Sequence, residues 1–305
     1  MPLLLTEANK LSNNMLERGV IEEIISRDDL FALLPFVGIN GKAYVYNREN
    51  TISEGDFLDP NDTVNEGAAT FTEITTNLRI LAGDVDADKF IMSTHGDTND
   101  QLAIQIALKA KALGRAFRRA IVQGDNSVNP KSFDGLARLV STSGDQANMV
   151  IAADVNGASI TLGMLDQLLD TVLNGCDAIM MRRGTWRAIR ALLRATGGTH
   201  ADQLEIENFG VPIPAYNGVP VLINDFLPAN ETQGTNANTC SVYAFRLNEV
   251  DGVHALYGGP SAGLQVEEIG TVQNKDAYRY RVKWYCGLAL KSTKSLARLQ
   301  GLTNI

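Results

Sequence analysis

The side chains in this sequence that could bind a metal ion or move a proton are histidines, cysteines and closely spaced carboxylates. The histidines are His95, His200 and His254, and the cysteines are Cys176, Cys240 and Cys286. No histidine has a second histidine or cysteine at the spacing of a metal-binding motif. Widely spaced cysteines in odd number indicate reduced thiols packed in a core. The sequence therefore predicts no metal site and no cofactor.

Two groups of carboxylates have spacings that suggest chemistry. Residues 84–88 read Asp-Val-Asp-Ala-Asp, but an EF-hand calcium loop starting there requires glycine in place of Lys89 and glutamate in place of His95. We interpret this group as part of an acidic strand or turn. Asp166 and Asp170 could form a carboxylate pair on a predicted helix, but a solvated helix face is the simpler interpretation. Because hydrolase, Walker A and dinucleotide-binding sequences are also absent, no catalytic site is predicted.

Composition narrows the function further. The 305 residues are 45% hydrophobic and 20% charged, which suits one large or two modest folded domains. The net charge of −8 repels a phosphate backbone on average and argues against sequence-reading nucleic-acid binding. The N-terminus lacks a basic signal-peptide region, and no apolar segment is long enough to predict a membrane span.

The first third of the chain predicts an arm and a projection. Residues 6–26 have roughly helical apolar spacing and predict an amphipathic N-terminal arm. Residues 43–46 suit a strand, and residues 70–81 are also rich in strand-forming side chains. The stretch between them carries acidic residues and no lysine or arginine after Arg48. We expect a long two-stranded projection. Because an isolated hairpin is marginal in water, something else must support it, and a neighbouring subunit is the simplest candidate.

A long helix is predicted over 98–123, with Gly124 ending it. Its apolar stripe consists of Leu102, Ile106, Ala110, Leu113, Phe117 and Ile121. At 1.5 Å per residue this helix would be about 40 Å long, which is typical of a structural beam. Its basic C-terminal half includes Arg115, Arg118 and Arg119, and these charges oppose the helix macrodipole favourably.

The remainder predicts a compact α/β region followed by one long strand. The predicted helices are 161–173 and 185–195, the predicted short strands are 178–181, 219–223 and 241–245, and residues 224–239 are predicted as a polar loop. Residues 276–291 alternate apolar and basic side chains over an unusual length, which predicts a strand with one packed face.

This order of elements, together with several local sequences, resembles the major capsid proteins of tailed bacteriophages, whose fold is shared with encapsulins and the herpesvirus capsid floor. The local sequences are AIVQGD at 120–125, FDGL at 133–136, DAIMMRR at 177–183, YNGVPV at 216–221 with Asn224 and Asp225 following, and WYCGL at 284–288. None of them is a catalytic signature, and together they extend across nearly the whole chain.

The resemblance implies an α+β phage major capsid fold with four parts. These are an N-terminal arm over 1–40, an extended β-hairpin loop with flanking strands over 41–90, a peripheral domain with a long spine helix and long strands over 91–146 and 263–305, and an α/β axial domain over 147–262. It also implies a structural protein, not an enzyme. Such a protein is made in the bacterial host cytoplasm and self-assembles as hexamers and pentamers into the icosahedral virion shell that encloses the dsDNA genome.

The implied partners begin with other copies of the chain. We expect Glu54, Asp56 and Asp59 of the projection to contact the basic half of a neighbour's spine helix. The helix residues in that hypothesis are Arg115, Arg118 and Arg119. Because Met1 lies close to the first helix, a separate scaffolding protein is expected, together with a portal. A decoration protein is a further possible partner, and no local motif identifies a covalent cross-link between subunits.

Two alternatives stay open at this point. An encapsulin-type compartment would have nearly the same fold and nearly the same sequence patterns. Its contents would be a cargo protein instead of DNA. A cytosolic α/β enzyme with a site on residues 147–262 is the third interpretation, and a small-molecule ligand bound by the monomer would favour it.

Overall fold

The periodic patterns of the sequence appear as an α+β arrangement of helices and strands in the computed structural model. The structure describes residues 29–52, 55, 57–60, 62–63, 66–95, 101–142, 148–196, 203–204, 213–259 and 263–305. The predicted amphipathic arm over 6–26 lies outside these residues. Among the described helices, none is long and apolar enough to cross a membrane.

The elements up to residue 151 begin with a short helix and a hairpin. In chain order they are α1 (Asp29–Leu33), β1 (Phe36–Gly38), β2 (Ala43–Thr51), β3 (Thr70–Asn77), β4 (Arg79–Asp88), α2 (Lys89–His95), α3 (Gln101–Gln123), α4 (Leu136–Thr142) and β5 (Met149–Ile151). The strand-forming region predicted over 70–81 is divided between β3 and β4 at Leu78. The predicted long helix is confirmed as α3, whose 23 residues span about 34 Å.

The later elements alternate short helices and strands before the long strand. They are α5 (Leu162–Thr171), β6 (Ala178–Met181), α6 (Arg183–Ala195), β7 (Gln203–Leu204), β8 (Ile213–Tyr216), β9 (Val219–Ile223), β10 (Glu231–Gln233), β11 (Asn236–Phe245), β12 (Val253–Gly258), β13 (Gln265–Thr271), β14 (Ala277–Leu290) and β15 (Leu296–Leu302). The predicted helices and strands of this region are confirmed. The polar loop predicted over 224–239 was wrong in part, because β10 and the start of β11 pair there as a hairpin.

The long strand β14 is the centre of a five-stranded sheet of described strands. β4 pairs along one edge of β14, while β12 and β13 follow one another along its other edge. Alternate side chains of β14 face α3, and the tryptophan ring of Trp284 lies 4.3 Å from the Phe117 ring, centroid to centroid. Phe117 is fully buried, and Leu113 and Ile121 of the predicted stripe are buried beside it. Helix α3 therefore packs against the sheet through its predicted apolar stripe.

The end of α3 packs closely against the chain that follows it. The Gly124 N–H donates to the Ala120 carbonyl at 2.8 Å, and the Gly135 N–H donates to the Gly124 carbonyl at 2.8 Å. A Cβ atom on Gly124 would lie 2.3 Å from the Phe133 carbonyl oxygen, so this approach of two backbones requires glycine. The sequence segments 120–125 and 133–136 thus form one structural unit.

The second sheet has an apolar core on each face. Its described strands follow the order β5-β15-β11-β6-β9-β8-β7, with β10 added at β11. Along β6, Ala178 and Met180 face the core that contains α3 and β14, while Ile179 and Met181 face the core with α5 and α6. All four are fully buried, which explains the continuous apolar run of this strand.

Several strands pair across the predicted domain boundaries, and β12 and β15 show this in both sheets. β12, which falls inside the predicted axial domain, pairs with β14 in the five-stranded sheet. β15, which falls inside the predicted peripheral domain, pairs with β11 and β5 in the second sheet. The sheets are therefore shared between the predicted parts, and the four-part division stays a prediction.

Candidate assembly interface

The hairpin formed by β2 and β3 is the structural basis of a candidate assembly interface. The strands pair antiparallel from Ala43 opposite Asn77 to Thr51 opposite Thr70, which confirms the predicted two-stranded projection. Along β2, Tyr44, Tyr46 and Arg48 are half-buried, and the residues beyond Arg48 are exposed. The root of the hairpin therefore rests on its own subunit, whereas the tip is uncovered.

Three hydrogen bonds fix the root of the hairpin to the end of β14. The Tyr46 hydroxyl donates to the Leu290 carbonyl at 2.6 Å. The Arg48 guanidinium donates from Nε to the Lys291 carbonyl and from Nη2 to the Leu290 carbonyl, each at 2.8 Å. Burial raises the pKa of Tyr46, so its hydroxyl keeps the proton that it donates. These bonds set the direction in which the hairpin leaves the subunit.

The exposed part of the hairpin carries large apolar side chains. Phe57 is fully exposed, and the exposed fractions are 67% for Ile52, 43% for Leu58 and 68% for Phe71. Apolar side chains grouped on one projecting element are unfavourable in water and indicate a surface that another molecule covers. The hairpin is therefore suited to contact a second protein surface.

The predicted acidic residues of the hairpin are only partly described. Glu54 and Asp56 lie outside the described residues. Asp59 is exposed, and its backbone N–H donates to the Asp62 carboxylate at 2.9 Å. The return bond, from the Asp62 N–H to the Asp59 carbonyl, measures 3.1 Å and closes a local turn. Asp59 therefore presents its carboxylate to solvent from an ordered turn.

The three predicted basic partners on α3 differ in accessibility. Arg119 is exposed, and its guanidinium carbon lies 5.4 Å from the centre of the Phe226 ring. Arg115 is half-buried, and Arg118 is only 5% exposed within its own subunit. A neighbouring subunit can therefore reach Arg119 most readily, and Arg118 least. The pairing between subunits stays a prediction.

Sequence reasoning missed a row of ion pairs on the outer face of the β4–β14–β13 sheet. Arg279 donates to Asp86, Arg281 donates to Asp84, and Lys283 donates to Glu267 on β13. Hydrogen bonds from these cations hold the pKa values of all three carboxylates below their ordinary range. The sequence does contain a signal for these ion pairs. Aspartates recur at every second residue over 84–88, and basic residues recur at every second residue over 279–283.

Among the described residues, several groups considered for chemistry are buried or hydrogen-bonded within the fold, and His200 lies outside these residues. His254 is fully buried, and burial lowers its pKa, so the ring is neutral at pH 7. Burial raises the pKa of Cys176 to about 11 and that of Cys286 to about 12, so both thiols stay protonated. Asp166 accepts a hydrogen bond from the Tyr216 hydroxyl at 2.7 Å. Within the described part of the chain, no group of three or more His, Cys, Asp or Glu side chains could hold a metal ion.

Comparison with known proteins adds a family and a set of similar structures. A family model for the SU10 major capsid protein matches residues 45–303. No curated protein matches this sequence.

Solved structures similar to this chain include encapsulin and capsid proteins. The holo-SrpI encapsulin complex from Synechococcus elongatus PCC 7942 has a TM-score of 0.75 and 18% identity, covering 99% of this chain and 96% of that chain. The capsid of a native GTA particle has a TM-score of 0.69 and 16% identity, covering 96% of each chain. A chain of Microbacterium phage Oxtober96 has a TM-score of 0.66 and 13% identity, covering 96% of this chain and 97% of that chain. The expected fold is thereby confirmed.

Proposed function

The chain belongs to the SU10 major capsid protein family, and we propose that it assembles as hexamers and pentamers into an icosahedral shell that encloses the dsDNA genome of a tailed phage. The observation that carries this proposal is the family match over residues 45–303, which includes most of the hairpin, the long helix, the second sheet, and the five-stranded sheet apart from β1. The uncovered apolar tip of the hairpin supports it, because a shell contact would remove those side chains from water.

The role proposed for the chain is structural and not enzymatic. Subunits would be made in the bacterial host cytoplasm and would end as the capsid of the virion. A separate scaffolding protein would guide their assembly, a portal would occupy one vertex, and a decoration protein could bind outside. DNA would be enclosed without reading of its sequence.

The proposed contact between neighbours places the acidic hairpin against the basic half of an adjacent α3. Asp59 and Arg119 support this contact because both are exposed on the subunit. Each exposed ion pair contributes only about 0–1 kcal/mol, but a closed shell repeats the contact many times. Reversing the charges of Arg115 and Arg119 to glutamate should impair assembly while circular dichroism shows a folded subunit. Normal shells from that double variant would refute the pairing.

Negative-stain electron microscopy of the purified protein, combined with light scattering on the same sample, tests the shell itself. Closed shells or capsomer rings are expected. A monomer at every protein and salt concentration, both alone and with a scaffolding protein, would overturn the proposed function.

An encapsulin-type compartment is the second candidate, and the similarity to the Synechococcus elongatus encapsulin complex favours it. The contents of isolated shells distinguish the two candidates. Phage capsids would contain genomic DNA and a portal, whereas a compartment would contain a folded cargo protein.

A further inference from the structure

Helix α6 carries a row of four arginines along one side. Arg183, Arg187, Arg190 and Arg194 follow one another at spacings of four, three and four residues, and all four are exposed. At 3.6 residues per turn they lie within about 60° around the helix axis. The opposite side of the helix is apolar, with Trp186 5% exposed and Ile189 fully buried. The row is therefore presented outward by a helix whose other side is anchored in the core.

Few carboxylates in the described ranges of the chain neutralise the row. α6 contains no Asp or Glu. Among the residues that the structure describes, Arg183 alone of the four forms an ion pair, at 3.6 Å from Asp225, and both side chains are largely exposed. Arg194 donates from Nε to the Arg190 carbonyl at 3.2 Å. That hydrogen bond and the helix macrodipole both stabilise the positive charge of Arg194 in the last turn.

The other three arginines have an unfavourable intrahelical setting. Each pair of like charges three or four residues apart destabilises a helix by about 0.2–0.5 kcal/mol. Arg183 also stands in the first turn, where the macrodipole disfavours a cation. A chain with net charge −8 thus presents a concentrated basic row on one exposed face of a helix. An external polyanion would remove this repulsion.

We propose that the arginine row of α6 binds the phosphate backbone of the enclosed double-stranded DNA. This inference rests on the proposed function, because it requires α6 to face the interior of the shell. The row is about 16 Å long at 1.5 Å per residue, which matches about five phosphates at 3.4 Å per strand. Guanidinium groups bind phosphate oxygens in bidentate geometry. Phosphate contacts carry no sequence information, which suits a wall that must accept any part of a genome.

An acidic surface on another subunit is the competing partner. It would need several carboxylates at a matching spacing. The exposed side of helix α5 provides Asp166 and Asp170, and Asp166 already accepts the Tyr216 hydrogen bond. DNA provides the longer and more regular array of negative charge, so it is the partner that the row fits better.

Binding of unassembled subunits to a fluorescent DNA duplex of mixed sequence tests the proposal. The variant is Arg187→Gln/Arg190→Gln, and the matched control is Lys131→Gln/Lys275→Gln, which removes the same charge from exposed residues elsewhere. Anisotropy titrations over a series of salt concentrations give the slope of log K against log salt. Loss of two phosphate contacts should reduce that slope by about 1.8, since each contributes about 0.9. The control should keep the wild-type slope.

The possible results separate this inference from the proposed function. A reduced slope in the arginine variant alone, with shell formation retained, supports DNA binding by the row. Equal slopes in both variants, or no measurable DNA binding by the wild type, overturn it. Unchanged DNA binding with loss of shells shows that the row contacts another subunit and also overturns it. If the wild type forms no shells but the slope difference holds, the proposed function fails while phosphate binding stands.

Discussion

Arg279 and Asp86 form two parallel hydrogen bonds between neighbouring strands, at 2.6 Å from Nε to Oδ1 and 2.8 Å from Nη2 to Oδ2. The two residues stand directly opposite each other in the β14–β4 register. Arg281 and Asp84 repeat the arrangement two residues further along. The Asp86 side chain is 6% exposed, and that of Asp84 is 32% exposed. The Asp86–Arg279 pair and the Asp84–Arg281 pair therefore have the same geometry but should contribute differently to the stability of the fold.

Replacing Asp86 with asparagine should lower the free energy of unfolding more than replacing Asp84. The Asp86 carboxylate is almost completely shielded from water, so its bonds to Arg279 are screened less than those of the more exposed Asp84 to Arg281, although the two arginines are similarly exposed at 36% and 42%. Urea denaturation of the two variants at pH 7 measures the difference. Equal midpoints would contradict this ranking.

The advantage of wild type over Asp86→Asn should disappear in acid. Hydrogen bonding to Arg279 holds the Asp86 pKa in the folded protein below its ordinary value of 3.8. A depressed pKa contributes stability that is complete above the ordinary value and is lost as the pH falls through the folded value. Urea denaturation of both proteins at decreasing pH should therefore give converging midpoints. A difference that is constant with pH would show that the charge of Asp86 does not contribute.

Phe117→Ala should lower the free energy of unfolding by about 3–5 kcal/mol, because it leaves a cavity beside Trp284 in a fully buried site. Urea denaturation followed by tryptophan fluorescence measures the change. Leu108→Ala on the same helix is the control, since Leu108 is 42% exposed. Comparable losses in both variants would mean that α3 is not held by its apolar stripe.

Arg48→Met should loosen the hairpin without unfolding the subunit. The substitution removes the two hydrogen bonds to the Leu290 and Lys291 carbonyls and keeps a side chain of similar length. Hydrogen exchange at the amides of residues 43–51 should accelerate relative to wild type. Glu49→Gln, on the exposed side of the same strand, is the control and should leave exchange unchanged. If Arg48→Met also leaves it unchanged, other contacts position the hairpin.

Phe57→Ser should impair assembly and leave subunit stability within about 0.5 kcal/mol of wild type, because Phe57 is fully exposed in the subunit. Burying a phenylalanine side chain contributes about 1.5–3 kcal/mol, so the concentration needed for assembly should rise about tenfold or more. Light scattering measures assembly, and urea denaturation measures stability. Val128→Ser, at an 82% exposed position away from the hairpin, should assemble normally. Normal assembly of Phe57→Ser would exclude its side chain from the contact.

The sequence by itself determined the elements whose patterns are local. The apolar stripe ending at Phe117 and Ile121 predicts α3, because residues three and four apart share one face of a helix. The alternation over 276–291 predicts β14 for the same reason at period two. The hairpin, the fold class and the family resemblance also followed from the order of such elements.

The tertiary structure alone decided which distant residues meet. Asp86 and Arg279 are separated by 193 residues, and the period-two pattern of each segment does not determine which residues of the two strands stand opposite each other. Arg118 and Arg119 are adjacent on a basic helix, yet Arg118 is 5% exposed and Arg119 is exposed. Which side of the helix is covered depends on the sheet that packs against it. In the same way, β15 pairs with β11, although the predicted division placed residues 263–305 with β14 in the peripheral domain. Pairing and burial depend on the whole fold, so single-sequence periodicity cannot determine them.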